Sequence, residues 1–223
     1  MSALLLLAYD QKVTSTTQAP HRSNPVPGGR REAATSRKRA AILVAAQAQL
    51  AEHGYDRMTV AHVAQDAGIA IGTLFTYAAT KAELLMMVTA DRWSDFVPST
   101  IQSAPPGDPV RALRHLLAPF VDIALREPAT TVAVARELLF GQPGPHRQAV
   151  LSLVADLEAA MARLLAEAGS TRAAEAATML FAGVLFEANR ARDRRIIRAD
   201  DMDERVERLI EACLPRNESS THA

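Results

Sequence analysis

From residue 36 onward, apolar residues recur at three- and four-residue spacing, and alternating β-branched runs are absent. This periodicity predicts helices almost throughout. Ile42, Leu43, Ala46 and Leu50 share one face of a helix over 37–53, which Gly54 stops. A short helix follows Thr59 to about Asp66, Ala67-Gly68-Ile69 is a tight break, and another short helix covers about 70–77. Thr80-Lys81-Ala82-Glu83 reads as a capping box, with Thr80 at the N-cap and Glu83 reaching back, and it opens a helix to about Phe96. Pro98, Pro105, Pro106 and Gly107 mark a connecting segment. Asp108-Pro109 and Glu127-Pro128 start two more helices, to about Arg126 and to Gly141. The turn at 142–145 leads into a helix over about 146–168. Ser170 and Thr171 open one to about Ile197, and Asp200 opens the last, to about Leu214. The expectation is an all-α fold of about nine helices, with no strand and no internal repeat.

Residues 10–35 show no such period and hold Pro20, Pro25, Pro27, Gly28 and Gly29. The predicted organisation is therefore a disordered tail over 1–35, a first helical domain over 36–82, a second over 83–214, and a polar tail over 215–223. A translation start assigned too early is one reading of the first segment.

Composition narrows the class. With 223 residues, 48% hydrophobic and 22% charged, the chain can bury a core. The single cysteine, Cys213, excludes an intrachain disulfide framework and a cysteine-based zinc cluster. Aromatics at 4% argue against a stacking platform for single-stranded nucleic acid. No apolar run approaches the ~18 residues of a membrane span. The run Ala3 to Ala8 follows no basic region and is a poor signal peptide. The expectation is a cytoplasmic protein without membrane contact. Lys and Arg number 25, as do Asp and Glu, but unevenly: residues 1–81 carry nine basic and five acidic residues, and residues 82–223 sixteen and twenty. A basic front joined to an acidic back redirects attention to residues 37–85.

There, Val60, Val63 and Ala64 lie on one helical face, and Ile69 and Leu74 can close over it. Ala67 and Gly68 are small where two helices cross, and Gly68 permits the positive φ of a tight turn. Two short helices joined by such a turn and packed on a longer one describe a helix-turn-helix. The second of the pair presents its N-terminal end to the DNA major groove. Its outward residues are Ala70, Ile71, Thr73, Phe75, Thr76 and Tyr77.

The run Arg39, Ile42-Leu43, Ala46, Leu50, Gly54-Tyr55, Thr59-Val60, Val63-Ala64, Ala67-Gly68-Ile69, Gly72-Thr73-Leu74-Phe75, Lys81 and Leu84-Leu85 resembles the DNA-binding domain of the TetR family of transcriptional regulators. The resemblance implies that Thr59 caps its helix and reaches a phosphate, that Thr73, Phe75 and Tyr77 line the recognition surface, and that Lys81 contacts backbone phosphate. Helix N-termini and lysines suit that role, positioning the protein without reading sequence. Ile71 and the Thr73 methyl suit thymine methyl groups, and no Arg, Asn or Gln on this helix offers a bidentate base contact. Against the family's pattern, Ala70 replaces a capping Ser, Phe75 a Tyr, Ala78 and Leu50 each a Phe. The basic stretch from Arg30 to Arg39 reads either as a solvated tail or as a minor-groove arm.

The resemblance further implies that the back half binds a small effector in an apolar cavity and forms a homodimer through the last two long helices, matching a palindromic double-stranded DNA operator. Candidate lining residues are Met86 or Met87, Trp93, Phe96, Leu113, Leu117, Phe120 and Phe140, with His115, Asp122, Arg136 and Glu137 as candidate polar groups. Small residues such as Ala177, Ala182 and Gly183 favour a close helix approach, either between subunits or within one. Arg190, Arg192, Arg194, Arg195 and Arg198, beside Asp200 to Glu204, form either an anion site or a solvated, acid-paired cluster. No Gly-rich phosphate loop, nucleophile elbow or metal-spaced histidine pair is present, so neither enzyme activity nor cofactor nor metal is expected. The expected function is an effector-responsive repressor. An effector-independent regulator and an all-helical enzyme are the alternatives.

Overall fold

The computed structural model describes residues 27–191 and 200–215. Among them lie nine helices and no strand. They are α1 (Pro27–Arg57), α2 (Val60–Asp66), α3 (Ile71–Phe75), α4 (Lys81–Gln102), α5 (Pro109–Arg126), α6 (Pro128–Phe140), α7 (Pro145–Glu167), α8 (Ala173–Ala191) and α9 (Asp200–Cys213). Most boundaries fall within a few residues of the periodic pattern, because caps and apolar stripes act locally. Thr59, Thr80 and Asp108 each accept the backbone N–H three residues on.

The differences have physical causes. α1 begins at Pro27, inside the segment read as a tail over 1–35, and the good helix formers at 32–34 continue its ladder. Gly54 breaks α1 at φ 71° and ψ 169°, so the stop expected there is real although one helical turn follows it. Pro98 does not end α4. Trp93 and Val97 are buried in the turn just before it, and that burial helps to hold the helix through the missing donor. The rest of the predicted tails, the extension of α8 to Ile197, and Arg192, Arg194, Arg195 and Arg198 lie outside the described residues.

The head is α1 to α3, with Ile42, Ala46, Met58, Val63, Leu74 and Ala78 at its centre. In the body, α4 packs along α7, α7 along α8, and α8 along α9, while α5 and α6 close the remaining sides. One continuous apolar cluster runs from Ile42 in the head to Ile210 in α9. The small-residue side of α8 is used within the chain: a Cβ on Gly183 would stand 3.0 Å from a Leu209 methyl of α9. α9 itself turns Met202, Val206 and Ile210 inward, and Asp203, Glu204, Arg208 and Glu211 are exposed on it. The large exposed apolar side chains of the body are instead Met179 and Phe186 on α8 and Leu139 and Phe140 on α6. None of the described helices is long and apolar enough to cross a membrane.

Candidate nucleic-acid interface and body cavity

α3 is five residues long, and the turn before it is pinned by Gly68 N–H to the Gln65 carbonyl and Ile69 N–H to the Ala64 carbonyl. Gly68 sits at φ 64°, where a side chain would be strained. This turn drives Leu74 fully inside, and so turns Ala70, Ile71, Gly72, Phe75 and Thr76 outward. Ile71 and Phe75, both 46% exposed, are large apolar groups left in water. Thr73 and Tyr77 are half-buried at the margin of this face. The face predicted from the sequence is thus assembled, with two of its members partly committed to packing.

Several predicted contacts also have partners inside the chain. The Tyr77 hydroxyl donates to the Thr35 carbonyl at 3.2 Å, fastening α3 to α1. The Thr76 hydroxyl donates to the Thr73 carbonyl at 2.7 Å. Arg39 pairs with Asp91 of α4 at 3.0 Å. Lys81 donates to the Asp56 carbonyl at 3.0 Å and stands 4.5 Å over the Tyr55 ring, tying the start of α4 to the end of α1. Burial, with the Glu137 carboxylate next in effect, raises the Tyr55 phenol above its ordinary pKa.

One cap follows the sequence reading and one departs from it. Ala70 has the extended backbone of an N-cap, φ −67° and ψ 141°, but no side-chain bond to the helix. Ala70→Ser is therefore expected to raise stability by ~1 kcal/mol, read from urea unfolding. Glu83 does not reach back across its own capping box. Its carboxylate instead accepts the His146 and Arg147 backbone N–H groups at 3.3 and 3.5 Å. The open N-terminus of α7 carries unsatisfied donors and a positive dipole end, which outbid the single local donor. A Cβ at Gly144 would collide with that carboxylate. Beside it, His146 Nε2 donates to the Tyr77 carbonyl at 2.7 Å, so α7 holds the end of the recognition segment directly.

Behind the head lies a small, mostly apolar cavity of about 40 Å³. Trp93 and Phe120, both predicted, line it. Their rings meet edge to face at 5.0 Å. Phe96 stacks against both but is not part of the lining, and Leu113 and Leu117 are fully buried core. Met86 is buried on another side of α4, beside the α6–α7 turn. Arg136 and Phe140 correct the reading more strongly. Phe140 is 80% exposed, and both line an outer groove between α6 and α8. Among the other polar candidates, His115 meets the Ser103 hydroxyl, Asp122 pairs with Arg126, and Glu137 lies beside Arg136.

The sequence reading missed Leu50, Thr89, Arg92, Glu127, Thr131 and Val184, which also line the cavity. Arg92 directly precedes Trp93, and Glu127 opens α6, but nothing in one-dimensional spacing joins residues 35 apart. In the body, Cys213 is half-buried, burial raises its thiol pKa, and it donates to the Ala176 carbonyl at 3.6 Å. No described group of His, Cys, Asp or Glu is placed to hold a metal.

Residues 42–87, spanning α2, α3 and the start of α4, match the family model for bacterial regulatory proteins of the tetR family. The head of this chain is therefore similar to that of tetR-family regulators. The HTH-type transcriptional repressor KstR of Rhodococcus jostii (strain RHA1) is 29% identical over 107 residues, which cover 48% of this chain and 50% of that protein. The chain therefore spans about half the length of the curated relative it matches. A TetR transcriptional regulator from Rhodococcus sp. RHA1 superposes with a TM-score of 0.65 at 20% identity, over 83% of this chain and all of that one (100%). Thermus thermophilus FadR, a TetR-family transcriptional repressor solved with lauroyl-CoA, gives 0.61 at 21% identity, over 83% and 100%. These two likenesses show that the chain shares the fold of those structures, body included.

In this head, Lys81 is both a phosphate candidate and a clamp. Lys81→Ala is expected to weaken binding to all DNA sequences about alike and to reduce the salt slope by ~1, measured by titration at several salt concentrations. Unchanged affinity and slope would leave Lys81 with the clamp alone.

Proposed function

We propose that the chain is a sequence-specific DNA-binding transcriptional regulator, a repressor that binds a palindromic operator as a homodimer and releases it when a small effector enters the body. The observation that carries this is the exposed α3 face, with Ile71 and Phe75 in water on a helix-turn-helix of the TetR kind. An apolar pair left exposed on a short helix suits thymine methyls and groove walls. Thr59, Ala70, Gly72, Thr73, Thr76 and Tyr77 surround it, and Arg39 and Lys81 set its angle to the body.

The effector step rests on which helices line the cavity. α4 starts at the head with Lys81 and lines the cavity with Leu85, Val88, Thr89, Arg92 and Trp93. Leu50 brings the first helix of the head to the same wall. A ligand there presses on both the head and the helix that carries it. The shift needs only a different affinity in the DNA-bound and free arrangements. That the Thermus neighbour in fold was solved in complex with lauroyl-CoA supports a small-molecule effector.

For the dimer, the exposed Met179 and Phe186 of α8 with Leu139 and Phe140 of α6 form the face we assign to the second copy. α9 is less suited, since its outer side is charged. Two-fold pairing then sets recognition helices about one DNA turn, ~34 Å, apart.

The test is a pull-down of genome fragments by the purified chain, sequenced, at two salt concentrations. Enrichment of a few palindromic sites that weakens with salt is the expected result. Recovery no better than bulk DNA at either salt, with the protein folded and dimeric, would sink the reading.

A further inference from the structure

Two of the side chains that line the body cavity are ionisable, Arg92 and Glu127, and they bind each other. The guanidinium donates twice to the carboxylate, at 3.0 and 2.9 Å. This fork satisfies both groups at once and leaves the wall without uncompensated charge. The remaining lining is mostly apolar, with Val88, Trp93, Phe120, Ile123 and Val184 among it. An ionised ligand would meet no free counter-charge there. It would lie unpaired in a low-dielectric space, or it would break the fork and strand one partner.

The hydroxyls on the wall add a second constraint. Thr89 donates its only hydrogen to the Leu85 carbonyl at 2.9 Å, and Thr131 donates its own to the Glu127 carbonyl at 3.0 Å. What each oxygen still offers is a lone pair. A ligand group that meets these two must therefore bring a hydrogen, whereas the hydroxyl of Thr130, the third threonine of the lining, still has a hydrogen to give.

We infer that the cavity takes an uncharged, mainly apolar molecule bearing a hydroxyl, which donates to Thr89 or Thr131 while the Arg92–Glu127 fork excludes acids and amines. The inference rests on the reading of the body as an effector site and names the class of effector. The helices that meet at the fork make it a suitable reader. Arg92 comes from α4, and Glu127 stands at the junction of α5 and α6.

Trp93 is the single tryptophan of the chain and lines the cavity, so its fluorescence reports occupancy without a label. The full chain is titrated with four matched probes: phenylbutanol, its methyl ether, phenylbutyrate and phenylbutylamine. The alcohol is expected to bind at least about tenfold more tightly than either ion, and severalfold more tightly than the ether. Glu127→Gln frees the Arg92 charge and is expected to bring the butyrate to or above the alcohol. Arg92→Gln frees the Glu127 charge and is expected to favour the amine. The wild-type ranking stands as a test even if a variant fails to fold. Butyrate or amine binding wild type as tightly as the alcohol would overturn the neutral-ligand inference while leaving an effector site in place. An ether equal to the alcohol would overturn the hydroxyl requirement. No response of Trp93 to any of the four, up to their solubility limits, would remove the cavity as a ligand site, and with it the effector half of the proposed function.

Discussion

Leu74→Ala is expected to destabilise the protein by about 2–5 kcal/mol and, on the proposed function, to abolish DNA binding at temperatures where the wild type stays folded. Leu74 is completely buried at the meeting point of α1, α2 and α3. α3 has five residues and no side-chain cap, so no internal stability of its own can hold it in place. Its position depends on this side chain, on the Gly68 turn and on the contacts of Tyr77 with Thr35 and His146. Removing three heavy atoms leaves a cavity that so short a helix cannot fill without moving. Urea unfolding checks the stability, and a DNA titration at low temperature checks whether binding returns when the fold does. A loss below ~1 kcal/mol would mean that the head is held mainly by its docking on α4.

Ile71→Glu is the complementary case, three residues away on the same helix. Ile71 is 46% exposed, so its replacement removes little packing, and the melting temperature is expected to stay within about two degrees of wild type. If α3 enters the groove, a carboxylate now faces the phosphates. Affinity for the enriched operator then falls roughly a hundredfold, equivalent to about 2.7 kcal/mol. Filter binding or anisotropy at fixed salt measures it. Wild-type affinity for Ile71→Glu would mean that this face does not touch DNA. Together the two variants separate what supports α3 from what α3 presents. Leu74→Ala loses both stability and binding, whereas Ile71→Glu loses only binding.

The four residues that depart from the family pattern fit this division. Leu50 and Ala78 are buried, so their smaller side chains are matters of packing. Leu50 also lines the body cavity. Ala70 and Phe75 are exposed, and their departures fall on the face itself.

By itself, the sequence determined the helical order, the caps at Thr59, Thr80 and Asp108, the turn at Gly68, and the split of α3 into a buried Leu74 and an exposed face. These are local outcomes. Capping hydrogen bonds, glycine's positive φ and the 3.6-residue period all act within about one or two turns of chain. The tertiary structure alone decided the partners of long polar side chains. Glu83 leaves its own helix for the end of α7, Lys81 turns to the Asp56 carbonyl, Arg39 finds Asp91, and Arg92 closes on Glu127. It also decided that Trp93 and Phe120 line the cavity while Arg136 and Phe140 lie outside it. The reason is geometric. An amphipathic stripe says that a residue points inward, but which inward residue borders empty space depends on the angle at which several helices cross. A charged side chain of five or six bonds reaches whichever donor or acceptor that crossing brings near.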